Sequence, residues 1–277
     1  MGGGGAKGLA HIEVLKVLDR LGVEVVAISG TSVGAIIGSL YAAGRSGSEV
    51  EKIIGEMLAT PRSIEEALKS ERLFGWIELL GLDPGKSHIL EAEGFLTELV
   101  EYLGKSAFEE LAIPLKIVAA DFWERREVVF DSGPLMPAIA ASFSLPGIFK
   151  PVVIDDRALV DGGCVNPVPF DLIRDQCDIL VAVDVIGKRA PLDSNLIPGM
   201  TEALFNTFQI AEKTIASQKM LLSTPDIYIE PEIEGVKVLE FDKADVIVEM
   251  SRPECARLES ELRSLLGTAE ALSLIHI

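Results

Sequence analysis

A serine between two glycines is the group in this chain whose surroundings most favour chemistry. Residues Gly30–Gly34 read Gly-Thr-Ser-Val-Gly, a G-x-S-x-G pattern. A β-branched apolar run before it predicts a buried strand, and an Ala- and Ile-rich run after it predicts a helix reaching Ala43. Between a strand and a helix, this pattern is typical of a nucleophile elbow, with Ser32 on a strained turn. Gly30 and Gly34 would remove Cβ atoms where the chain approaches itself.

A glycine-rich run near the start of the chain predicts a second functional loop. Backbone N–H groups in such a loop, at the start of a helix expected from about Leu9 to Leu21, favour an anion. Gly3, Gly5 and Gly8 match a dinucleotide fingerprint, but no strand precedes them. A P-loop would need Ser or Thr directly after Lys7. An oxyanion loop beside Ser32 and a flexible tag are the two remaining interpretations.

The histidines offer poor candidates for the base that a serine nucleophile needs. The chain has three, His11, His88 and His276. His276 would complete a serine–acid–histidine order with Ser32 and Asp161, but it lies in a terminal tail, where catalytic groups are rarely held in place. His11 is more simply a helix residue with a local hydrogen bond, and His88 a loop residue.

Asp161 is therefore the stronger candidate for the base. It follows a predicted strand and precedes Gly162 and Gly163, which would let the backbone approach closely and leave the carboxylate in a cleft. An ordinary aspartate is a weak base, but an apolar pocket would raise its pKa and improve proton abstraction from Ser32. A plain turn is the alternative interpretation of Asp-Gly-Gly.

The serine motif could also belong to a membrane-spanning segment. No charged residue occurs between Glu24 and Arg45, and this length is sufficient to cross a bilayer. Four glycines and the hydroxyl residues Ser29, Thr31, Ser32 and Ser39 lower the apolarity of the stretch. A strand followed by a helix is the preferred interpretation.

Composition narrows the class of protein. Of 277 residues 48% are hydrophobic, which is enough for a full core, and 25 basic against 43 acidic residues give a net charge of −18. Such a chain should repel nucleic acid and gain nothing from anionic lipid, so any membrane contact must be local or apolar. The chain has three cysteines, an odd number, and no two of them have C-x-x-C spacing. This argues against a disulfide framework and against a zinc site. A cytoplasmic protein is expected, with peripheral contact at the inner membrane face as an alternative.

The order of predicted elements indicates an α/β fold. Strands alternating with helices predict one three-layer domain, with a mostly parallel sheet flanked by helices, over residues 1–270. A helical insertion is expected near 60–95, and residues 271–277 are interpreted as a tail, with a non-native origin as an alternative. Strands are predicted at 115–121, 127–130, 152–154, 158–160, 179–185 and 226–230, and further helices at 49–59, 93–103, 134–141, 198–222, 240–250 and 254–266.

Four blocks taken together resemble the patatin-like phospholipases. They are residues 3–8, 30–34, 141–149 and 161–163, and they occur in the order found in that family. The resemblance implies a patatin-like fold and a dyad in which Ser32 is the nucleophile and Asp161 the base, without a catalytic histidine. It implies an oxyanion hole formed by N–H groups around Gly3, Gly4, Gly5 and Ala6. Residues expected to support the site are Ser142, Ser144, Pro146, Gly162 and Gly163.

The resemblance also implies an activity. Acyl-ester hydrolysis, usually of phospholipids or lysophospholipids, would proceed without a metal or other cofactor, and an acyl lipid and a transient membrane surface would be the partners. Family members have an apolar strand before the glycine loop, where this sequence has Met1. We therefore expect the loop to lack one anchor. The alternative function is a weak or inactive regulator that binds lipid or protein.

Overall fold

Helices and short strands alternate along the chain, as expected for an α/β fold. The computed structural model describes residues 1–59, 93–187, 199–268 and 275–276. The helices within these residues are α1 Ala10–Leu21, α2 Val33–Ala42, α3 Gly47–Ala59, α4 Glu93–Leu103, α5 Leu135–Phe143, α6 Met200–Leu222 and α7 Ala244–Thr268. The strands are β1 Ile28–Thr31, β2 Leu115–Asp121, β3 Arg126–Phe130, β4 Val152–Ile154, β5 Arg157–Asp161, β6 Ile179–Val183, β7 Ile227–Ile229 and β8 Ile275–His276.

Strand β2 organises the larger sheet because two strands share one of its edges. β1 pairs with it in parallel as far as Thr31 opposite Val118. β5 pairs with it antiparallel, starting from Asp161 opposite Ala119. The carboxyl ends of β1 and β5 therefore meet at neighbouring positions along β2. β3 pairs antiparallel with β2, and β4 pairs antiparallel with β5.

A smaller sheet contains β7, β6 and β8, and both of its pairings are parallel. The predicted α/β class is confirmed, but the strand pairing of the described residues is mixed rather than mostly parallel. The cause lies in two short connections: β3 follows β2, and β5 follows β4, through tight turns that can only produce antiparallel neighbours.

The segment Met1–Gly3 joins the two sheets. The Met1 nitrogen donates to the Ser29 carbonyl at 2.7 Å, and the Thr31 N–H donates to the Met1 carbonyl at 3.2 Å. On the other side, the Gly2 N–H donates to the Val183 carbonyl at 2.9 Å. The segment thus runs between β1 and β6 with hydrogen bonds to both.

The core surrounds α2, whose ten residues are all buried. α1 is amphipathic and packs against α3 and α7, and it ends at Gly22, which adopts the left-handed conformation at φ 64°. None of the helices in the described part of the chain is both long and apolar enough to cross a bilayer. The uncharged stretch from Val25 to Gly44 is a strand followed by a helix, as preferred above.

Most predicted elements lie within a few residues of their observed positions, with one clear error. Two helices were predicted on either side of Pro253, but α7 runs through it. Ile247, Cys255 and Leu258 are buried along its length, so packing offsets the hydrogen bond that proline removes. The predicted insertion near 60–95 and tail at 271–277 lie largely outside the described residues.

Candidate active site

Ser32 occupies the turn between β1 and α2 with the backbone expected of a nucleophile elbow. Its φ of 55° and ψ of −126° lie in a region that L-residues rarely adopt. Both flanking glycines are required sterically. A Cβ on Gly30 would lie 2.7 Å from the Ala35 Cα, and one on Gly34 would lie 2.4 Å from the Met1 carbonyl oxygen. The turn therefore holds Ser32 at the N-terminus of α2.

The structure places Asp161, the predicted base, beside Ser32 in the lining of the same cleft. The Ser32 side chain lies near enough to the Asp161 carboxyl group to lower its pKa, and the Gly163 N–H donates to Oδ1 of the same carboxylate at 2.8 Å. The side chain is buried, and this desolvation raises the pKa of Asp161 to about 6 although both neighbouring groups oppose the rise. Asp161 is thus a stronger base than an exposed aspartate, yet still ionised at neutral pH.

The predicted supporting residues divide into four that contact the site and one that does not. Ser142 Oγ accepts the Ser32 N–H at 2.9 Å, and the Ser144 carbonyl accepts the Asp161 N–H at 2.9 Å. A Cβ on Gly162 would lie 2.3 Å from the Val118 carbonyl oxygen, so only glycine allows β5 to end against β2. Pro146 lies in an exposed turn and does not line the cleft.

Two of the four N–H groups predicted for the oxyanion hole already donate to other parts of the chain. The Gly3 N–H donates to the Pro167 carbonyl at 2.9 Å, and the Ala6 N–H donates to the Val238 carbonyl at 2.8 Å, so neither is available to a substrate. Within the described residues, Gly4 and Gly5 donate their N–H groups to no other group, and both line the same cleft as Ser32. Gly5 has φ 59°, and a Cβ there would collide with the Val238 carbonyl.

The glycine loop is anchored, so the expectation that it lacks a support is wrong. Hydrogen bonds of Met1–Gly3 to β1 and β6 hold its start. His11 Nε2–H donates to the Gly2 carbonyl at 2.8 Å, and the buried Lys7 Nζ donates to the Ile186 carbonyl at 2.8 Å. Burial lowers the pKa of His11 to about 3, so its imidazole is neutral. His11 thus supports the loop.

The other histidines contribute nothing visible to the site. His88 lies outside the described residues, and the backbone of His276 pairs with Leu180 at the far side of β6. In the part of the chain that the structure describes, no three His, Cys, Asp or Glu side chains are grouped closely enough to hold a metal ion. Cys164 is partly buried, and burial together with the nearby carboxylates raises the pKa of its thiol to about 12.

The cleft beside Ser32 has mainly apolar walls. It is narrow, with an enclosed volume of about 30 Å³ that opens to solvent. One wall comes from α5 and the turn after it, the other from α6 and the segment around Phe241. The apolar side chains that line it are Phe143, Leu145, Phe149, Phe205, Phe208, Val238, Leu239 and Phe241. This composition suits a hydrocarbon chain.

Glu212 is a site residue that the sequence analysis missed. It is buried on α6 and lines the cleft, and its Oε1 lies 2.2 Å from the position of a Cβ on Gly163. Burial, and then the negative charges of Asp161 and Asp184, raise the pKa of Glu212 well above its usual range. Its spacing offered a signal, because Glu212 follows Phe205 and Phe208 on the same helical face. Gly163 thus leaves room for a second carboxyl group beside Asp161.

Comparison with known proteins agrees with this geometry. A family model for patatin-like phospholipase matches residues 1–173. An uncharacterised NTE family protein of Mycobacterium tuberculosis is 34% identical over 207 residues, which cover 74% of this chain and 53% of that protein. Patatin-like phospholipase domain-containing protein 6 of Mus musculus is 31% identical over 188 residues, covering 67% of this chain and 13% of that protein.

A solved structure shows the same fold. VipD from Legionella pneumophila has a TM-score of 0.53 at 13% identity, and the match covers 94% of this chain and 66% of that one. The chain spans about half the length of the first curated relatives that it matches. Because the family model matches well over half of its residues, the chain belongs to the patatin-like phospholipase family.

Proposed function

We propose that this protein is a serine hydrolase of lipid acyl esters that uses Ser32 and Asp161 as a dyad. One observation carries the proposal: Ser32, on a strained elbow, lines the same cleft as the buried carboxyl group of Asp161 and as Gly4 and Gly5, whose N–H groups have no partner within the described residues. These are the nucleophile, the base and the oxyanion donors that acyl transfer requires.

The first half of the reaction would form an acyl-enzyme. Ser32 Oγ attacks the carbonyl carbon of the ester while its proton passes to Asp161. The resulting oxyanion accepts hydrogen bonds from Gly4 and Gly5, and the positive end of the α2 dipole adds to its stabilisation. The bond between the acyl carbon and the alcohol oxygen then breaks, and Asp161 returns the proton to the departing alcohol.

The second half would release the acid. A water molecule gives a proton to Asp161, and its oxygen attacks the acyl carbon bound to Ser32. The same two N–H groups stabilise the second oxyanion. Collapse of this intermediate frees the carboxylic acid, and Asp161 returns the proton to Ser32 Oγ, which restores the enzyme.

The cleft and the relatives support a lipid as the substrate. Five phenylalanines and three aliphatic side chains surround the space beside Ser32. Such apolar walls favour an ester with a hydrocarbon acyl chain over an ester with a polar acyl group. The matching family model and the mouse relative both carry the name phospholipase. We extend that substrate class to this chain as part of the proposal.

A fluorophosphonate probe together with a panel of acyl esters tests the proposal. We expect the probe to label the protein at Ser32, and Ser32→Ala to abolish labelling and hydrolysis. Ser39→Ala is the matched control, because Ser39 is a buried serine of α2 whose hydroxyl donates to the Ala35 carbonyl. Labelling that persists in Ser32→Ala would overturn the nucleophile. A folded protein that neither reacts with the probe nor cleaves any ester would instead favour the binding regulator.

A further inference from the structure

The turn between β2 and β3 exposes two aromatic side chains. Phe122 is 49% exposed and Trp123 is 77% exposed, and their rings stack edge to face with centroids 5.0 Å apart. We call residues Phe122–Arg126 the aromatic turn. Large aromatic residues are normally buried, so a pair in contact with solvent on a defined turn indicates a contact surface.

A third apolar side chain extends this surface across the sheet. The Phe122 N–H donates to the Ala158 carbonyl at 2.9 Å, which continues the β2–β5 register by one residue. Val153 on β4 lies opposite Ala158 and is 70% exposed. Directly opposite residues in antiparallel strands point to the same face. Phe122 and Val153 therefore lie in one row on the same side of the sheet.

The aromatic turn is held in a fixed conformation. The buried Asp121 accepts the N–H groups of Trp123 and Glu124 through Oδ1, at 3.1 and 3.0 Å. The Arg125 N–H donates to the Asp121 carbonyl at 2.9 Å, and Arg125 adopts the left-handed conformation at φ 53°. An aspartate that organises its own turn in this way presents the next side chains in a defined arrangement.

The aromatic turn also contains two arginines without a partner. Within the described residues, neither Arg125 nor Arg126 donates a side-chain hydrogen bond or forms an ion pair, although Glu124 lies in the same turn. The guanidinium groups of the other described arginines all have carboxylate or carbonyl partners: Arg20, Arg45, Arg157, Arg174, Arg252, Arg257 and Arg263. A chain of net charge −18 thus leaves two cations unpaired beside its exposed aromatic pair.

Aromatic rings beside arginines match the chemistry of a lipid–water interface. Tryptophan and phenylalanine enter the boundary between headgroups and acyl chains, and a guanidinium binds phosphate oxygens through paired N–H donors. We propose that the aromatic turn, together with Val153, docks this protein on an anionic lipid surface. Docking goes beyond the proposed function, because binding does not require hydrolysis.

The position of the aromatic turn makes such docking useful. β1 and β2 are parallel, and Ser32 follows the end of β1 as Phe122 follows the end of β2. Both therefore lie at the end of the sheet that contains the carboxyl termini of β1 and β2. A protein bound through the aromatic turn would have this end of the sheet, which also carries Ser32, directed toward the lipid.

Vesicle partitioning measures the docking directly. The protein would carry Ser32→Ala so that lipid is not consumed, and vesicles would contain phosphatidylcholine with or without phosphatidylglycerol. We expect the double variant Phe122→Ser with Trp123→Ser to reduce partitioning at least about tenfold. We expect Arg125→Gln with Arg126→Gln to reduce it about fivefold per arginine, only on phosphatidylglycerol vesicles and less at high salt.

A matched control distinguishes docking through the aromatic turn from nonspecific binding of exposed apolar side chains. Leu221 and Leu222 at the end of α6 are 78% and 89% exposed. Their double replacement by serine should leave partitioning unchanged. Equal losses in this control, or no partitioning of the parent protein, would overturn the inference.

Fluorescence gives a second readout that leaves the residues of the aromatic turn unchanged. The chain contains two tryptophans, Trp76 and Trp123. With Trp76→Phe, the emission of Trp123 should shift to shorter wavelength when vesicles are added and be quenched by lipids brominated on their acyl chains. Unchanged emission would contradict docking through this turn. Hydrolysis of a water-soluble ester, measured in parallel with Ser32 intact, reports on the proposed function separately.

Discussion

Burial raises the pKa of Asp161, and this shift is what suits the residue to the proposed role of base. In the more familiar serine hydrolases a histidine accepts the serine proton, and its ordinary pKa already lies near neutrality. Here desolvation moves the pKa of a carboxyl group to about 6, which is close to that of histidine. The Gly163 N–H keeps the carboxylate ionised enough to act, and the neighbouring Glu212 adds a second carboxyl group to the same pocket.

The acid limb of the pH profile should report this pKa. Protonated Asp161 cannot accept the Ser32 proton, so kcat/KM for a soluble ester should be level above about pH 7 and fall roughly tenfold per unit below pH 6. Asp161→Asn should lower kcat/KM at every pH and remove this inflection. A wild-type limb near pH 4, the ordinary range of aspartate, would contradict the role of burial.

Ser142 should matter more than its neighbour Ser144. Ser142→Ala removes the acceptor of the Ser32 N–H and leaves that group buried without a partner. We expect a loss of about 1–3 kcal/mol in the free energy of unfolding, measured in urea, together with a lower kcat. Ser144→Ala is the control, because the Ser144 hydroxyl donates only to Ala140 and its carbonyl still accepts Asp161. Equal effects on kcat would argue against a specific role for Ser142.

Sequence motifs anticipated two parts of the site. The G-x-S-x-G and Asp-Gly-Gly patterns indicated the elbow and the end of β5, although only Gly30 is required by neighbouring residues in the sequence, whereas Gly34 and Gly163 are required by Met1 and Glu212. The available oxyanion donors could not be predicted. Their selection depends on which N–H groups already donate to Pro167 and Val238, and these acceptors carry no signal in the sequence.

At the scale of elements, β2 brings together the two residues of the proposed dyad. Thr31 lies opposite Val118 and Asp161 opposite Ala119, so Ser32 and Asp161 meet because β1 and β5 end at adjacent positions on one strand. Hydrophobic runs predicted where most strands lie. They did not predict which strands pair. Alternation with a period of two residues shows which side of a strand is buried, but it does not identify the neighbouring strand, so the mixed pairing of the sheet was not predicted.

Replacing Gly34 should disturb the glycine loop through the strand-like segment before it. In Gly34→Ala the new Cβ would lie 2.4 Å from the Met1 carbonyl oxygen and 2.7 Å from that of Gly2. The backbone must shift, and the N–H groups of Gly4 and Gly5 would shift with it. We expect a drop in kcat of about 10²-fold or more, as for loss of one oxyanion donor, and a lower melting temperature.

Gly38→Ala is the matched control on the same helix. There the closest contact of a new Cβ is the Ile28 side chain at 3.1 Å, which can adjust, and alanine favours the helix. Its kcat should remain within a few fold of the wild type. If Gly34→Ala behaved in the same way, the segment before the loop would not determine oxyanion geometry.

At the scale of the whole molecule, burial of His11 should make the fold sensitive to acid. Its pKa is about 3 in the folded protein, against 6.5 when exposed, so only the unfolded chain binds a proton between these values. Stability therefore falls as pH decreases below 6.5, by about 1.4 kcal/mol for each unit, and reaches its full loss near pH 3. Urea unfolding at pH 7 and pH 5 measures this loss.

His11→Gln isolates the contribution of the histidine. Glutamine can still donate to the Gly2 carbonyl, but it takes up no proton. The difference in unfolding free energy between pH 7 and pH 5 should be smaller in this variant by roughly 2 kcal/mol. An equal acid dependence in both proteins would place the sensitivity in other groups.

The class of the whole molecule followed from sequence more readily than its details did. Alternating elements and a sufficient core predicted the α/β domain, and four short blocks predicted the family. Neither the continuation of α7 through Pro253 nor the position of Met1–Gly3 between the two sheets was predictable. Both depend on packing between segments that are far apart in the sequence.

The hydrogen bonds of the glycine loop have a consequence for the order of events during translation. Gly2 and Ala6 are synthesised well before Val183 and Val238, the residues with which they pair. The hydrogen bonds of Gly2 and Ala6 therefore cannot form until these later residues are present, whereas Met1 can already pair with β1. A nascent chain would complete the regions of the proposed nucleophile and base before it fixes the proposed oxyanion donors. The proposed hydrolysis would then begin only after the segment around Val238 has left the ribosome.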